Sequence, residues 1–532
     1  MLIGYVSDET YSAIPSVVIE FQRDALSVAA TSRASGAIYA DLEPGAYEVV
    51  LQKPGYGAKR VSLDVRPDMP PFHFRLMSDG LLGYAWPKWV KGGDRAQFKV
   101  HSPEAYKIEL WRYGAEKEFI RNLGWYDEHA PGATVQIIPD GDFTQTGVQW
   151  NQVGYPAPDH PALQQKVTAP ERSGLYYFHL KTAKGAFFSF PWIVAPRKPE
   201  SKVAVLTSNI TWNAYNKFGG RSNYINPEGL PPTPVVNARQ ELKRYTNPDF
   251  IVYNSDDYPP LSLDRPEPDN LIPEHTVVTD PVEGRMASAV APGEWRFFGW
   301  MEQQGYNYDV YADAQLHSGD LCLDDYRVLV LLVHPEYWSR DMYHKLKDWV
   351  FNRGGRLLYL GGNGINCEVI FLDSDTIAYK NGRQLEQRKR GLESRFHESV
   401  ESEANLLGVV FTEAGQMTSA PYVVEADRHW AFSGTGLKNG ASFGRETLHQ
   451  RIPGGASGHE TDKISDSSPD NVIRLARGAN PDNGGADMVI YSTESGGAVF
   501  SAGSITWVST LLTDSSVSKI TSNVLYDFLS DA

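Results

Sequence analysis

Short stretches of alternating apolar and polar residues open the chain, and this is the pattern of strands with one buried face. The clearest of them lie at residues 17–21 and 47–51. Turn residues separate these stretches, at Ser35-Gly36 and at Glu43-Pro44-Gly45. Residues 1–78 are therefore predicted to form a small β-sandwich.

A second set of strand patterns occupies residues 79–197, with strands predicted at 97–101, 107–111, 174–180 and 190–194. This segment resembles an immunoglobulin-like sandwich. The first segment contains two characteristic runs, Gly36-Ala37-Ile38-Tyr39 and Leu42-Glu43-Pro44-Gly45-Ala46-Tyr47. With these runs it resembles the small carboxypeptidase-regulatory-like sandwich, which implies a spacer or docking module without chemistry.

The pattern changes after Ser201, where long apolar runs alternate with helical periodicity. Residues 326–333 are apolar almost throughout, as in strands that are covered on both faces. A helix is predicted to run from Ser339 to about 350, to stop at Gly354-Gly355, and to be followed by a strand at 356–360. Such a strand, helix and strand make a parallel βαβ unit. Residues 201–532 are thus predicted to form an α/β domain with a mostly parallel sheet, in which 365–460 are β-rich and loop insertions.

Polar clusters follow the ends of the predicted strands. They lie at 207–224, 334–338, 361–364 and 503–507. In open α/β sheets, ligands bind outside the carboxyl ends of the strands. If these strands are neighbours, the four clusters predict a site at that edge of the sheet.

Composition narrows the class of protein. The 532 residues carry a formal charge of −15, which disfavours a nucleic-acid surface because phosphate contacts need clustered Lys and Arg. The short basic run at 388–390 is predicted to be a solvated loop. No apolar run is long enough to span a bilayer, so we expect no membrane partner. Two cysteines make no disulfide framework, and no signal-peptide pattern opens the sequence, so we expect a cytoplasmic protein.

His334 and Glu336 stand two residues apart directly after an apolar strand. At a strand end both side chains can point into a cleft, where they would supply an imidazole and a hard oxygen ligand. The alternative is structural: Glu336 would cap the next helix, and His334 would be bonded inside a loop.

Three further segments hold candidate residues. Tyr215 and Tyr224 lie in a polar cluster, but an isolated tyrosine usually packs, and a phenol becomes a ligand only when a strong Lewis acid removes its proton. Asn363 lies in a glycine-rich turn without dinucleotide or phosphate-loop spacing, whose glycines are expected to let the backbone approach a ligand. Glu460 lies in the stretch 453–462, which is expected by default to be a solvated loop.

In combination, these motifs resemble the C-terminal domain of the large subunit of the N,N-dimethylformamidase family. The likeness rests on motifs in the same order along the chain: W-x-A-Y-N, then G-G-R-S-x-Y, H-P-E-Y-W, G-G-x-L-x-Y-L-G-G-N-G and G-x-E-x-D. The resemblance implies a mononuclear ferric iron held by two tyrosinates and one carboxylate, with Tyr215, Tyr224 and Glu336 as the ligands. It also implies that His334 stands beside the metal and that Asn363 and Glu460 complete the polar shell.

The function that this resemblance implies is iron-dependent hydrolysis of a small N-substituted amide or formamide. The metal would act as a Lewis acid on the carbonyl and lower the pKa of water. An amide also needs its leaving amine protonated, so an acid–base group is required. Glu460 or His334 could be this group, and the choice stays open; the favoured hypothesis has Glu460 as the base and His334 as the orienting group. We expect a homo-oligomer, and the family's pairing of a large with a small subunit leaves a small partner subunit as an open question.

Two other functions stay open at this point. The sheet is expected to be glutamine-amidotransferase-like, and on such a sheet Cys367 could be the nucleophile of a cysteine amidase with His334 as its base. Cys367 lacks, however, the strand-to-helix elbow on which such nucleophiles usually lie. The second alternative is a non-catalytic protein that binds a small ligand.

Overall fold

A computed structural model of the protein places several small β-sheets before one large α/β sheet. None of the helices among the residues it describes is both long and apolar enough to cross a membrane. The structure describes residues 1–8, 12–57, 59–76, 80–102, 104–126, 166–216, 218, 222–223, 233–234, 260–282, 287–381 and 384–530.

Seven short strands make up the described part of the first module. They are β1 (Leu2–Ser7), β2 (Val18–Arg23), β3 (Leu26–Thr31), β4 (Ala37–Tyr39), β5 (Gly45–Gln52), β6 (Lys59–Val65) and β7 (Phe72–Arg75). They form two sheets, of order β4-β1-β7 and β3-β2-β5-β6. Ile3 and Val6 of the first sheet share one buried core with Ile19 and Val49 of the second. The two sheets therefore pack face to face.

The second module has the same two-sheet construction. Its strands are β8 (Leu82–Trp86), β9 (Trp89–Lys91), β10 (Arg95–His101), β11 (Tyr106–Tyr113), β12 (Lys117–Tyr126), β13 (Lys166–Thr168), β14 (Gly174–Thr182) and β15 (Phe187–Ala195). The sheet orders are β13-β10-β8 and β12-β11-β14-β15-β9. Phe98 and Val167 of the first sheet meet Ile108 and Phe178 of the second in one core.

The rest of the described chain is built on a nine-stranded sheet, of order β18-β16-β19-β21-β32-β31-β30-β26-β27, with smaller sheets beside it. The strands, in chain order, are β16 (Val203–Thr207), β17 (Leu261–Ser262), β18 (Asp309–Ala312), β19 (Val328–Val333), β20 (Tyr337–Trp338), β21 (Arg356–Gly361), β22 (Cys367–Phe371), β23 (Thr376–Tyr379), β24 (Val410–Thr412), β25 (Ser419–Ala420), β26 (Tyr422–Val424), β27 (Ser442–Phe443), β28 (Ser457–Gly458), β29 (Thr461–Lys463), β30 (Ile473–Gly478), β31 (Asp487–Ser492) and β32 (Ala498–Ser501).

Helices cover both faces of the nine-stranded sheet. Alternate residues of β19 explain why this strand is apolar throughout: Val330 packs in the core beneath one helical layer, and Leu331 packs in the core on the opposite face. The α-helices are Asn209–Tyr215, Ala291–Gln303, Asp313–Ser318, Arg340–Asn352, Gln384–Lys389, Arg395–Ser399, Ala404–Leu407 and Ser515–Leu529.

The central strands of the large sheet are in register. β18, β16, β19, β21 and β32 are parallel, and Val203, Val328, Arg356 and Ala498 begin four neighbouring strands side by side. Their carboxyl ends therefore meet at one edge of the sheet. The described polar residues after these strands lie together there, as the sequence predicts.

The α/β unit predicted from the sequence is present. The helix Arg340–Asn352 is capped by Ser339, whose Oγ accepts a hydrogen bond from Met342 N, and it stops before Gly354, which has a φ of 74°. The finer predictions stay predictions, namely the two sandwich family names, the glutamine-amidotransferase-like arrangement and the boundaries 1–78, 79–197 and 201–532.

The predicted parallel strands lie in a large mixed sheet that is largely parallel: β18, β16, β19, β21 and β32 are parallel, and β31, β30, β26 and β27 continue the sheet with antiparallel pairings. Two details of the sequence prediction need correction. The strands β26 and β27 fall within 365–460 and belong to this main sheet, so that stretch is not wholly an insertion. The basic run at 388–390 is not simply a loop, because a helix covers Gln384–Lys389.

Candidate active site

Tyr215 is the last residue of the short helix Asn209–Tyr215, which begins just after β16. Arg265, itself buried, holds the end of this helix: its Nη2 donates to Asn213 O at 2.7 Å and its Nε donates to Asn213 Oδ1 at 3.0 Å. The helix is thereby fixed at the carboxyl edge of the sheet, with the phenol of Tyr215 facing the end of β19.

The segment that carries Arg265 is tied to the second β module by two ion pairs. Lys99 Nζ lies 2.6 Å from Asp264 Oδ1, and Lys88 Nζ lies 2.5 Å from Glu267 Oε1. The Lys88–Glu267 pair is almost wholly buried. The position of Tyr215 therefore depends, through Arg265, on side chains of the sandwich.

His334 and Glu336 follow β19 and meet Tyr215. The Tyr215 hydroxyl lies 2.7 Å from His334 Nε2, and it donates to Glu336 Oε2 at 2.7 Å. His334 Nε2 is also 3.2 Å from Glu336 Oε2. The backbone turns sharply here, with Val333 at a φ of 54°, a left-handed conformation that is unusual for a β-branched residue. This turn brings both side chains to the edge of the sheet.

The imidazole of His334 is oriented from its other side. His334 Nδ1 lies 2.9 Å from Gly362 O, and a carbonyl oxygen only accepts, so Nδ1 carries the proton. Nε2 is thereby the ring atom directed at Tyr215, Glu336 and Glu460. Its distance to Glu460 Oε2 is 3.6 Å.

Asn363 and Glu460 form the far side of the cluster. Asn363 Nδ2 donates to Glu460 Oε2 at 2.8 Å, and Gln416 Nε2 donates to Glu460 Oε1 at 3.2 Å. Beneath them, the buried Asp462 accepts from Asn363 N at 2.8 Å and from the Tyr359 hydroxyl at 2.7 Å. Asp462 thus fixes the turn that presents Asn363.

The charges in the cluster stabilise one another. Burial lowers the pKa of His334, but the hydrogen bond and charge of Glu336, with the charge of Glu460, outweigh burial and raise it to about 9. Burial would raise the pKa of Glu336, but His334, Arg395 and the Tyr215 hydroxyl outweigh it and lower this pKa below its ordinary value. Glu336 is therefore a buried carboxylate that is ionised at neutral pH.

Comparison with known proteins identifies the family of the chain. The family described as "N,N-dimethylformamidase beta subunit-like, C-terminal" matches residues 119–519, about three quarters of the chain. The chain belongs to this family.

Two relatives carry the name N,N-dimethylformamidase beta subunit. The protein from Paracoccus aminophilus is 25% identical over 424 residues, which cover 69% of this chain and 54% of that protein. The protein from Alcaligenes sp. is 26% identical over 287 residues, covering 45% of this chain and 37% of that protein. The chain thus spans about half the length, or less, of these relatives. A solved β-galactosidase from Rahnella sp. R3 has a TM-score of only 0.27 at 10% identity, over 44% of this chain and 27% of that one.

Within this dimethylformamidase-like chain, the structure brings together five of the six residues singled out from the sequence. They are Tyr215, His334, Glu336, Asn363 and Glu460. Tyr224 lies outside the described residues. The structural alternative for Glu336 is wrong, because the next helix is capped by Ser339. The roles of the five side chains stay predictions.

One expectation about the surrounding loops is wrong. The stretch 453–462 is not solvated near Glu460, because Ala456, Ser457, Thr461 and Asp462 are all buried. The approach of the glycine turn before Asn363 to a ligand stays a prediction, and the turn also approaches the opposite loop: a Cβ on Gly362 would lie 2.4 Å from Glu460 O. Gly362 thus lets the Asn363 turn and the Glu460 segment pack directly on each other.

Sequence reasoning missed two residues that support the cluster. Arg395 Nη1 lies 3.4 Å from Glu336 Oε1, at the start of the helix Arg395–Ser399. Asp462 is the second, and burial raises its pKa to about 7 against the hydrogen bonds from Tyr359 and Asn363 N. Neither could be found from local spacing, because both reach the site through tertiary contacts.

The family resemblance implies an iron ion, and two of the three side chains that would bind it lie among the described residues. The two implied ligand atoms that the structure describes, Tyr215 Oη and Glu336 Oε2, are 2.7 Å apart. Oxygen ligands bind such cations at about 2 Å, so one ion can contact both. Among the described residues no group of three or more His, Cys, Asp and Glu side chains is arranged to hold a metal. One phenol and one carboxylate of the described residues thus fit the tyrosinate–carboxylate ligand set that the resemblance implies.

Proposed function

We propose that the protein hydrolyses a small N-substituted amide or formamide with the help of a mononuclear ferric ion. The observation that carries this proposal is the meeting of Tyr215, His334 and Glu336 within 2.7–3.2 Å at the carboxyl edge of the sheet, in a chain of the dimethylformamidase family. The relatives' printed name supplies the amide chemistry.

Tyr215 and Glu336 would hold the ion, with Tyr224 as the third ligand that the resemblance implies. Phenolate and carboxylate are hard anionic donors, which suit a ferric ion. The chemistry that such an ion supplies is Lewis-acid polarisation of the amide carbonyl. The pKa of His334 is raised by carboxylates that a bound cation would partly neutralise, so the protonation of His334 depends on occupancy of the site.

Glu460 is proposed as the base. Two donors hold its carboxylate, and its side chain is 13% exposed, whereas that of His334 is 1% exposed. Glu460 can therefore meet water at the mouth of the site. It would take a proton from the water as the new C–O bond forms and return that proton to the amine nitrogen as the C–N bond breaks. His334, fixed by Gly362, would orient the Tyr215 and Glu336 oxygens.

The test combines metal content with turnover. The purified protein, loaded with ferric iron, is expected to contain one iron per chain, to show the visible absorption of ferric tyrosinate, and to hydrolyse members of a panel of formamides and N-alkyl amides. Glu460→Gln should keep the iron and lose at least about 100-fold in kcat. The exposed Glu446→Gln, on the same stretch of chain, is the control. Full turnover by iron-loaded Glu460→Gln would exclude Glu460 as the base.

The cysteine amidase is disfavoured by the surroundings of Cys367. This thiol is buried, it donates to Lys380 O at 3.0 Å, and burial raises its pKa to about 12. A thiol in such a state is a poor nucleophile. We therefore expect that a thiol-alkylating reagent leaves amide hydrolysis within about twofold of the untreated rate, and that Cys367→Ala does the same. Loss of activity on alkylation of the native protein, together with loss of activity in Cys367→Ala, would restore the cysteine mechanism.

The assembly and the location of the protein are further proposals. The relatives are named as beta subunits, which implies a partner subunit for those proteins. For this chain we propose a homo-oligomer in the cytoplasm, and light scattering of the purified protein measures its mass. A mass of one chain, together with full amide hydrolysis, would contradict both the homo-oligomer and any need for a small subunit.

A further inference from the structure

A cavity lies on the outer face of the five-stranded sheet of the second module. The strand register places Lys107, Lys181 and Phe187 side by side across β11, β14 and β15. Side chains alternate along a strand, and Leu180 points the other way, into the core of the sandwich. Glu274, from the segment that carries Arg265, closes one side. The enclosed volume of about 300 Å³ is at the small end of the range for small-molecule sites.

Aromatic rings form part of the cavity wall. Trp111 stacks on His179, with ring centroids 5.0 Å apart and an interplanar angle of 17°. Phe187 meets the same imidazole edge-on, at 5.2 Å and 85°. His179 Nε2 lies 2.6 Å from the Tyr113 hydroxyl, and burial lowers the pKa of His179 to about 3. The imidazole is therefore neutral, and this wall suits the apolar body of a ligand.

Lys117 brings a charge to the cavity that no carboxylate matches. Its Nζ donates to Pro273 O at 3.0 Å and to Glu274 O at 3.2 Å. The ammonium also lies 4.9 Å from the centroid of the Tyr113 ring and 5.4 Å from that of Trp295. Carbonyl dipoles and rings attract a cation without neutralising it, and within the described parts of the chain Lys117 has no carboxylate in an ion pair.

The other two lysines of the cavity are each paired. Lys107 forms an ion pair with Glu109, and Lys181 Nζ lies 3.0 Å from both carboxylate oxygens of Glu274. The cavity is thus lined by three lysines and two glutamates, with the ammonium of Lys117 in excess. One unmatched positive charge suits a monoanion better than a phosphate group, which carries nearly two negative charges at neutral pH.

We propose that this cavity binds a small organic carboxylate, whose anionic group pairs with Lys117 and whose apolar body lies against Trp111 and Phe187. A charge-assisted hydrogen bond would supply the selectivity for an anion, and burial of the apolar body would add affinity. The cavity shares no lining residue with the cluster around His334. The inference is therefore independent of the proposed amide hydrolysis.

Benzoate is the probe, and benzyl alcohol is its uncharged counterpart of nearly the same shape. With the full-length protein at pH 7, titration calorimetry is expected to show that benzoate binds about 10- to 100-fold more tightly than benzyl alcohol. Inorganic phosphate is expected to bind more weakly than benzoate. Tighter binding of phosphate, or equal binding of the alcohol, would overturn the inference.

Two variants locate the benzoate. Lys117→Met should lower its affinity at least about 10-fold through loss of the charge, and Phe187→Ala about 5- to 20-fold through loss of apolar contact. Lys184→Met, on the same module with a side chain that is 85% exposed, is the control and should leave the affinity unchanged. Thermal unfolding checks that the variants fold.

The pH dependence of the native protein gives a readout that needs no variant. Burial lowers the pKa of Lys117 to about 8, against the charges of Asp280 and Glu274. The other titratable groups facing it, His179 and Tyr113, stay neutral because burial lowers the pKa of the first and raises that of the second well above its ordinary value. Benzoate affinity should therefore fall about 10- to 30-fold between about pH 7 and pH 9.5, where a lysine of ordinary pKa would keep its proton.

Each remaining outcome also decides the question. Benzoate that binds with unchanged affinity to both Lys117→Met and Phe187→Ala occupies another site, and the inference fails. It fails equally if the native protein binds no benzoate. Should Lys117→Met not fold, Phe187→Ala and the pH dependence decide, and a benzoate affinity that stays constant to about pH 9.5 would exclude Lys117 as the partner of the carboxylate.

Discussion

Two buried carboxylates at the same edge of the sheet show how differently the protein treats one functional group. Glu336 and Glu294 are both almost wholly inaccessible, and both accept a hydrogen bond from the helix Asn209–Tyr215, Glu336 from Tyr215 and Glu294 from Trp212 Nε1. Around Glu336 stand two cationic side chains, His334 and Arg395.

Glu294 has no such cationic side chains beside it among the described residues. Its Oε1 accepts from Ser208 N and Trp212 Nε1, its Oε2 is buried without a partner among the described residues, and burial raises its pKa to about 8. Burial alone thus keeps a carboxyl group neutral, and a charged neighbour is needed to keep one ionised. Glu336, and not Glu294, can therefore serve as an anionic oxygen donor at neutral pH.

The largest expected effect comes from neutralising each carboxyl group in turn. Glu336→Gln should lower amide hydrolysis by at least about 10³-fold and should reduce bound iron, because the anionic donor is lost. Glu294→Gln should change amide hydrolysis and bound iron each by less than about threefold, because the carboxyl group of Glu294 is already neutral. Elemental analysis measures the iron bound to the two variants, and kcat measures their amide hydrolysis. Normal iron content in Glu336→Gln would contradict the prediction.

The second prediction concerns stability as a function of pH. The folded pKa of Glu294, about 8, lies above the value of about 4.5 in an unfolded chain, so the unfolded state loses this proton first. The free energy of unfolding should therefore fall by roughly 3–5 kcal/mol as the pH rises from about 4.5 to about 8, and then level off. Glu294→Gln should lack this contribution.

Urea unfolding followed by tryptophan fluorescence measures this difference. The quantity to compare is the stability of the variant relative to the native protein at pH 5 and at pH 9, since other titrating groups cancel in it. The free energy of unfolding of the variant, relative to that of the native protein, should increase as the pH rises. A constant difference across that range would mean that Glu294 is ionised despite its burial.

The smallest of the three effects should come from making the Glu336 pocket more like the Glu294 pocket. Arg395→Met removes one of the two cations, so the pKa of Glu336 should rise and iron affinity should fall by about 10- to 100-fold. Activity should recover when iron is added in excess. Arg390→Met, at an exposed position of the preceding segment, is the matched control, and an equal loss of iron in both variants would argue against a specific role for Arg395.

The strands of the large sheet could be predicted because their apolar runs are long and end in polar clusters. β19 and β21, the helix between them and the candidate residues His334, Glu336 and Asn363 all follow from that pattern. The helix Ala291–Gln303 was missed for the opposite reason. It is buried along nearly its whole length and contains Pro292, Gly293 and Glu294, so it has no polar face to mark its period.

The supporting residues could not be predicted from local sequence. From the sequence, Asp462 is one of several ionisable groups in a polar loop. Only its contacts with Tyr359 and Asn363 N show that it is buried and holds the turn that carries Asn363. The sequence around Glu294 does not indicate that its carboxyl group will be neutral in the folded protein. Burial in both cases is a property of tertiary packing, which spacing along the chain does not encode.

The two ion pairs between the second β module and the segment that carries Arg265 determine the shortest fragment of this chain that we expect to be active. Cutting at residue 201 would remove Lys88 and Lys99 and leave Asp264 and Glu267 without their cations. Uncompensated charge in a buried position favours local opening, and the segment that would open is the one that clamps the Tyr215 helix. Both lysines precede residue 119, where the family match begins. Transplanting this α/β unit onto another amino-terminal module would therefore require that module to bring two positive charges of its own.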